Sequence, residues 1–449
     1  MAGLVRWADA NRVVALALMI LLMAVGVLSA LRLPIDAVPD VTNIQVQVVT
    51  RAPALSAPEI EQMVTLPVER AMAGLPALRE VRSITKFGVS IVTLVFHDTV
   101  DIYFARQQVN ERLVQVREEI PTAVGRPELG PISTGLGEIF MFELRSASRS
   151  PDELRTMIDW DVGVSLRQVP GVIEVVGFGG SVRQYQVTLD PMRMHAHGIT
   201  LSEVFRVLES DNRNTGGGYI ERAGEQVVIR GEARFRGIDD IREVVIKADS
   251  DGTPVRVGQV ARVTVGAVLR QGAMTRDGRG EVVGASVLML KGENSVAVVD
   301  RVRARVEEIR ARLPADITIS PYYDRASFID RTLATVKRNL SEGALLVTLT
   351  LVLTLGSLRA GLVVSGAIPF SMLFAFIFMG SFGVSGNLMS LGAVDFGIIV
   401  DGAVVMIEHV LHEIAHRRGD ANRRATITHA AAVTARPVVF AVVIVLLVF

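Results

Sequence analysis

LMSLGAVDFGIIVDGAVVMIEHV, residues 388–410, is the stretch that decides the fold. It is long and apolar enough to cross a bilayer, yet it contains Asp395, Asp401 and Glu408. An acid at the centre of a spanning helix costs about 2.5–3.5 kcal/mol on insertion scales, so such residues usually serve a proton or ion pathway or a buried partner. The stretch therefore predicts a membrane helix that carries protonatable groups.

The three acids do not form one straight stripe. At about 100° per residue, Asp401 and Glu408 are two turns apart on one helix face, whereas Asp395 lies about 120° away from it. Glycines at positions 392, 397 and 402 recur every five residues and leave room for a neighbouring helix. The alternative interpretation is a buried structural helix whose acids pair with a basic residue elsewhere.

The composition indicates a mixture of membrane and soluble parts. Half of the residues are hydrophobic, 21% are charged, and the formal net charge is zero. A neutral balance gives no support to nucleic acid as a partner. The chain has no cysteine, which excludes disulfides and thiolate metal sites.

Arginines and apolar runs predict the membrane topology. Residues 13–31 form an apolar run that we interpret as a retained anchor, and Arg6 and Arg12 before it place the N-terminus inside. Two further runs, 340–355 and 362–383, precede the acidic stretch and are joined by a turn with Arg359. An arginine-rich loop at 412–437 then falls inside, and residues 33–339 fall outside. The last run, 438–449, is too short to span, which predicts that the chain is a fragment.

The soluble region alternates strands with amphipathic helices. The first six elements have the order βαββαβ of a ferredoxin-like unit. They are a strand at 43–50, a helix at 56–75 with Ser56 and Glu59 as a capping box, strands at 79–85 and 89–96, a helix at 101–120 and a strand at 138–144.

A second, interrupted copy follows and reuses the strand at 138–144. Its other elements are a helix at 151–169, a strand at 172–176, a strand at 281–290, a helix at 295–313 and a strand at 317–320. An insert at about 181–272 has its own strands at 185–189, 226–230 and 243–247. The glycines at 216–218 predict a loop or hairpin tip in this insert.

Several long motifs resemble one family of transporters. They are DFGIIVDGAVVMIE at 395–408, LPIDAVPDVTNIQVQV at 33–48, EIEQMVTLPVERAMAGLP at 59–76, FGVSIVTLVFHDTVDIYFARQQVNERL at 87–113 and GPISTGLGEIF at 130–140. In this order they resemble the N-terminal half of the heavy-metal efflux branch of the resistance–nodulation–division (RND) transporters. That family commonly has Asn after the glutamate of the acidic helix, where this chain has His409.

The resemblance implies an α+β membrane protein: a transmembrane helix bundle with a periplasmic porter of two ferredoxin-like βαββαβ units and an inserted docking subdomain. The expected divisions are the cytoplasmic N-terminus and first transmembrane helix at 1–32, the first porter subdomain at 33–137, the second porter subdomain at 138–180 and 273–335, the docking insert at 181–272, and transmembrane helices 2–4 with a truncated helix 5 at 336–449.

The resemblance also implies a function. The expected activity is proton-driven efflux of heavy-metal cations, of the divalent cobalt, zinc and cadmium type, by a multi-pass antiporter of the bacterial inner membrane. Such a protein is a secondary transporter, not an enzyme, and needs no cofactor because the metal cation is its substrate. Asp395, Asp401 and Glu408 would form the proton relay. The implied partners are two further copies in a homotrimer, a periplasmic membrane-fusion adaptor, an outer-membrane channel and the lipid bilayer.

Two places are candidate metal sites. Glu138, in GLGEIF, begins a porter strand, and its carboxylate suits divalent cations better than copper(I) or silver. The alternative for Glu138 is a solvated strand residue. Met192, Met194, His195 and His197 gather soft and borderline ligands within six residues, although a surface helix explains them equally.

Other interpretations stay open. HEIAH at 412–416 matches the H-E-x-x-H signature of zinc proteases, but no third ligand with its own motif follows. The glycines at 177, 179 and 180 lack the Lys-Ser/Thr of a nucleotide loop and predict a turn. An RND pump for organic compounds would share the architecture, although only 5% of the residues are aromatic. Met406 is a mild signal for a copper or silver pump.

Overall fold

The structure is a computed structural model in which strands form two units and an insert, and long helices form a bundle. It describes residues 2–33, 35–36, 42–121, 124–248, 252–268, 270, 272–278, 280–382, 386–387, 396–416 and 423–448.

The first unit is a four-stranded antiparallel sheet covered by helices. Its strands, in the order in which they pair, are Leu78–Lys86, Val89–Phe96, Gln45–Arg51 and Glu128–Leu129. Its helices are Ala57–Ile60, a π-helical turn Glu61–Thr65, Leu66–Met72, and Ile102–Glu119. The capping box predicted for Ser56 and Glu59 is confirmed by a 2.8 Å bond from the Ser56 amide to the Glu59 carboxylate.

The core of the first unit follows from two sequence periods. In Gln45–Arg51 every second side chain is buried, including Val46 and Val48. The helix Ile102–Glu119 buries a stripe at four- and three-residue spacing. Its buried members are Ala105, Val109, Leu113 and Val116. The two stripes form one apolar cluster.

The strand predicted at 138–144 does not close the first unit, contrary to the sequence interpretation. The short strand Glu128–Leu129 closes it, because Leu129 pairs with Val48. Glu138–Ser146 instead lies inside the second sheet, where both of its edges are paired. Two residues are too few for a periodic signal, which is why the sequence did not reveal the closing strand.

The second unit is split in sequence but continuous in space. Its strands pair in the order Ile317–Asp324, Glu138–Ser146, Glu281–Met289 and Val172–Phe178, and Met274–Thr275 also pairs with Glu281–Met289. Its helices are Pro151–Met157, a π-helical turn Ile158–Val162, Gly163–Arg167, and Ser295–Arg310. Ser286 pairs with Val176, which lies 110 positions earlier in the chain, so one sheet combines strands from before and after the insert.

A glycine turn leads from the second unit into the insert. Gly179 and Gly180 have positive φ angles of 72° and 59°, which glycine adopts without strain. The Gly180 amide donates a 2.9 Å hydrogen bond to the Glu281 carboxylate. This segment is therefore the predicted turn, and its amide is bonded to the chain's own acid.

The insert has a core of its own. Its two ends meet in the antiparallel pair Arg183–Leu189 and Ala261–Ala267. The remaining helices are Pro191–Ala196, Leu201–Asp211, Ile238–Glu243 and Val257–Val260, and the remaining strands are Thr215–Arg222, Glu225–Gly231, Val245–Ala248 and Pro254–Arg256.

The hairpin of the insert corrects one prediction. The glycines at 216–218 lie within the strand Thr215–Arg222, and the turn is at Ala223 and Gly224. Both turn residues have positive φ, 53° and 81°, as a two-residue turn of the I′ kind requires. Gly217 serves a different purpose, because a Cβ there would be 2.7 Å from Ile229 Cγ2 on the facing strand.

The helix bundle contains the apolar runs. Its helices are Ala2–Ala10, Arg12–Arg32, Arg325–Leu355, Leu358–Ser365, Ala367–Ser381, Phe396–His416 and Arg423–Val448. A short parallel pair joins Ile35–Asp36 to Gly386–Asn387. Among the described residues, four helical stretches are long and apolar enough to cross a membrane: Arg12–Arg32, Arg325–Leu355, Leu358–Ser381 and Arg423–Ile444.

Two helix boundaries differ from the sequence interpretation. The run predicted from 340 is the second half of a 31-residue helix that begins at Arg325, where the Asp324 carboxylate accepts a hydrogen bond from the Ser327 amide. The last helix, Arg423–Val448, has 26 residues and is not too short to span. The sequence interpretation began the last apolar run only after Pro437, but the alanine- and threonine-rich stretch before this proline belongs to the same helix.

Candidate functional site

The helix Phe396–His416, called the acidic helix below, has two distinct faces. Its inner face packs against an apolar cluster formed by Leu351, Val364 and Ile368 of the preceding helices. The side chains of the acidic helix in this contact are Ala403, Val404 and Ile407. Their spacing of one, three and four residues is that of a single helix face.

The acids lie on an exposed face beside the packed one, about 100° from it around the helix axis. Asp401 and Glu408 are both exposed, and so is Val405 between them. The prediction that the two acids share a face is confirmed, because residues 396–416 form one continuous helix and both acids are exposed on it. Asp395 lies outside the described residues. Titratable groups thus run along one exposed face of a helix whose adjoining face is held by apolar packing.

Two histidines continue the exposed face towards the end of the acidic helix. His412 and His416 are exposed, and their ring centroids are 4.4 Å apart. The zinc-protease interpretation of HEIAH requires a third ligand near this pair. Within the part of the chain that the structure describes, no group of three or more His, Cys, Asp or Glu side chains could hold a metal ion. This arrangement gives the protease interpretation no support.

Glu138 is exposed at the first position of its strand. Its register partner is Leu288 on the strand Glu281–Met289. Burial first, and then the charge of Glu138, raise the pKa of Tyr322 above its ordinary value. Glu138 therefore offers an exposed carboxylate, an oxygen ligand that suits a hard or borderline cation.

The loop before Glu138 is attached to the longest helix. The buried Arg325, first residue of Arg325–Leu355, donates a hydrogen bond to the carbonyl of Leu136. That helix continues for 31 residues into the bundle, so the loop before Glu138 is bonded to the start of a bundle helix.

The methionines and histidines at 192–197 are not brought together. Met194 packs against the core of the insert, whereas Met192 is 78% exposed. His195 lies in the helix Pro191–Ala196 and is exposed, and His197 follows the end of that helix. The surface-helix interpretation describes this stretch better than a metal site does.

Sequence reasoning missed a buried acid in the second sheet. Glu143 is 1% exposed, and its carboxylate forms ion pairs with Arg145 and Arg276. A buried carboxylate persists only when it is paired and hydrogen-bonded. The signal in the sequence was an acid in the apolar interior of the strand EIFMFELRS, five residues after Glu138.

A second missed contact joins the two ends of the bundle. Arg424 Nε lies 2.9 Å from Asp9 Oδ1, and the Thr428 hydroxyl donates to Asp9 Oδ2 at 2.9 Å. The hydrogen bond from Arg424 is the largest cause that lowers the pKa of Asp9 below its ordinary value. The start of the chain and the start of the last helix therefore lie together.

Comparison with known proteins supplies the family. The model of the AcrB/AcrD/AcrF family matches residues 4–449. The chain is 43% identical over 440 residues both to the cation efflux system protein CzcA of Alcaligenes sp. (strain CT14) and to the cobalt-zinc-cadmium resistance protein CzcA of Cupriavidus metallidurans. Each alignment covers 94% of this chain and 41% of the relative, so the chain spans about two fifths of the length of those relatives.

A solved structure agrees with these matches. The crystal structure of a heavy metal efflux pump superimposes with a TM-score of 0.86 at 35% sequence identity, over 97% of this chain and 43% of that one. The resemblance drawn from the motifs is confirmed over nearly the whole chain. The chain belongs to the AcrB/AcrD/AcrF family of RND transporters, with relatives in its heavy-metal efflux branch.

Proposed function

We propose that the protein containing this chain exports divalent heavy-metal cations across a bacterial inner membrane in exchange for protons. The observation that carries the proposal is the exposed pair Asp401 and Glu408 on one face of the acidic helix, beside the face held by apolar packing. Acids in spanning helices are costly, and proton pathways are a main reason for retaining them.

The chemistry requires an acid that changes protonation state within the membrane. Burial raises the pKa of a carboxyl group and a basic neighbour lowers it, so a covering element of the full protein can set when Asp401 binds or releases a proton. Glu408 lies about 10 Å further along the same face, since seven residues rise about 1.5 Å each. Asp395 completes the proposed relay. Each proton that crosses a potential of 100 mV provides about 2.3 kcal/mol.

The proposed cargo is a divalent cation of the cobalt, zinc and cadmium type. One relative at 43% identity is named for resistance to these three metals. The exposed carboxylate of Glu138 supplies oxygen atoms, which such ions accept as ligands more readily than copper(I) or silver does. We propose Glu138 as a ligand on the path of the cation, with further ligands from the rest of the protein.

The proposed architecture is that of an RND pump. The two sheets would be ferredoxin-like porter units on the periplasmic side, and the insert would be the docking subdomain. The protein would act as a homotrimer with a periplasmic membrane-fusion adaptor and an outer-membrane channel. The bond between Asp9 and Arg424 supports the topology, because it requires the first and last helices to begin on the same side of the membrane.

Transport by the full-length protein in vesicles tests this function. With an imposed pH gradient, we expect Zn²⁺, Co²⁺ or Cd²⁺ to move against the proton flux. Movement of copper(I) or silver alone would assign the other metal class. Movement of an organic dye without any metal would assign an RND pump for organic compounds.

Single cysteines test the topology. The chain has no cysteine, so an introduced thiol is labelled on a clean background. We expect exposed positions such as Glu225 in the hairpin of the insert to react with a membrane-impermeant reagent in spheroplasts, and Arg424 not to react. The reverse pattern would contradict the proposed orientation.

A further inference from the structure

Two imidazole rings lie side by side near the end of the acidic helix. The ring centroids of His412 and His416 are 4.4 Å apart with 39° between the ring planes, and both side chains are exposed. Side chains four residues apart on a helix are neighbours on one face, so the contact needs no distortion of the backbone. The spacing brings two nitrogen ligands within reach of one ion.

We propose that His412 and His416 form a two-imidazole site for a divalent transition-metal ion, with water in the remaining coordination positions. Neutral imidazole binds zinc, copper and nickel, with nitrogen–zinc distances of about 2.0–2.1 Å. Rotation of the two side chains closes the present separation of the rings to a chelating arrangement. Because the site takes no part in the proton relay, it goes beyond the transport function proposed above.

The proposed site lies on the same helix face as the acids, one turn beyond Glu408. His412 lies four residues after Glu408 on the same exposed face, which is about 6 Å along the helix axis. A bound dication would therefore lie one turn beyond Glu408. A metal ion of the same class as the proposed cargo would associate with the end of the helix that carries the relay.

The remaining histidines of the chain provide a matched comparison. The chain has seven histidines; His409 lies three residues before His412 on the same helix, and His195 and His197 form a closely spaced pair in the insert. His197 follows the end of the helix that carries His195, so this pair does not present two rings one turn apart on one helix face. A site that depends on spacing is thereby distinguished from binding to any exposed histidine.

The test counts Ni²⁺ bound to the full-length protein in detergent by equilibrium dialysis, without a proton gradient. Removing a residue that only hydrogen-bonds to a metal ligand already weakens metal binding by about 10–100-fold. Removing a ligand itself should therefore weaken metal binding by at least about tenfold. We expect His412→Ala and His416→Ala each to weaken the binding of one Ni²⁺ per chain by at least this factor. The double variant should lose no more than this one ion, because both rings hold the same ion.

A spacing control keeps the number of histidines constant. In Ile414→His with His416→Ala, the two histidines are two residues apart, and we expect the same loss of Ni²⁺ as in His416→Ala. The double variant His195→Ala with His197→Ala should bind as the wild type does. Helicity from circular dichroism excludes unfolding as the cause of any loss.

Three outcomes would overturn the proposal. They are unchanged binding in both single variants, a double variant that loses two ions, and equal loss on removing His195 and His197. The result is independent of transport, because Asp401→Asn should keep the Ni²⁺ site. A failure of metal efflux with the site retained would count against the proposed function alone.

Discussion

Gly402 of the acidic helix and Val438 of the last helix are in direct contact: a Cβ atom at residue 402 would lie 3.0 Å from Val438 Cγ1. Small residues let membrane helices approach closely, since packing, not the hydrophobic effect, holds them together within lipid. Gly402 directly follows Asp401 in the chain. The contact therefore helps to fix the height and rotation at which the neighbouring Asp401 is presented, about 100° around the helix.

We expect Gly402→Leu to separate the acidic helix from the last helix. Overpacking a close contact typically costs about 1–3 kcal/mol, so the purified protein should unfold at a lower denaturant concentration. Gly380→Leu is the matched control, because nothing lies within 4 Å of a Cβ at that position in the described structure. Equal stability of the two variants would show that the contact at Gly402 does not hold the helices together.

Period and length in the sequence were sufficient to predict the arrangement around the acids. The shared face of Asp401 and Glu408 follows from the helical period alone, and the continuous helix Phe396–His416 confirms it. The alternation in Gln45–Arg51 and the capping box at Ser56 were likewise local signals. Each of these features is determined by residues within about two helical turns.

The features that the sequence did not reveal depend on partners far away in the chain. Glu128–Leu129 becomes a strand only because Val48 and Val49 offer a free edge. The partner of Glu143, Arg276, is 133 positions away. The glycines at 216–218 were wrongly interpreted as a turn, because glycine also allows two strands to approach closely, as Gly217 does towards Ile229. No local period identifies such pairings.

A surface cluster in the second unit predicts a dependence of stability on pH. The Asp316 carboxylate accepts hydrogen bonds from Arg149 at 3.0 Å, Ser146 at 2.9 Å and Ser148 at 3.0 Å. These bonds lower its pKa from 3.8 to about 2, with Arg149 as the largest cause. Because the pKa is lowered in the folded state, ionised Asp316 stabilises the fold above about pH 4.

We expect Asp316→Asn to lower the stability of the second unit at pH 7. The stabilisation is lost as pH falls from 3.8 towards 2, so the difference between wild type and variant should shrink over that range. Denaturant unfolding at pH 7 and at pH 2.5 measures it. Asp161→Asn, at an exposed carboxylate, is the control, and an Asp316→Asn effect that is constant with pH would contradict the assignment.

The pairing of Glu138 with Tyr322 is testable without transport. Glu138 is the second cause, after burial, of the raised pKa of Tyr322. We therefore expect Glu138→Gln to lower the pKa of Tyr322, although burial should keep it above the ordinary value of 10.0. Tyrosinate absorbance during a pH titration measures the change, and Tyr322→Phe identifies which of the five tyrosines is responsible. An unchanged pKa of Tyr322 in this variant would show that the charge of Glu138 does not act on the phenol.

The same substitution tests the role of Glu138 towards the cation. If the carboxylate is a ligand, Glu138→Gln in the full-length protein should raise the cation concentration at which transport is half-maximal. Glu118→Gln, at an exposed position on the helix Ile102–Glu119, removes the same charge from the first unit and should have no effect. An equal change in both variants would indicate general electrostatic attraction in place of ligation.

Asp401 is the residue on which proton coupling should depend most. Asn keeps the shape of the side chain and part of its hydrogen bonding but cannot bind and release a proton at physiological pH. We expect Asp401→Asn in the full-length protein to abolish metal-dependent proton flux in vesicles, while insertion into the membrane and cation binding stay largely intact. Asp395→Asn should also impair transport severely, and Glu408→Gln less, because Glu408 is nearer the membrane surface and can recruit water.

Val405→Asn is the matched control, since Val405 lies on the same exposed face between the two acids and carries no titratable group. Coupling retained in Asp401→Asn, or lost equally in Val405→Asn, would mean that this face serves a structural contact and not proton transfer.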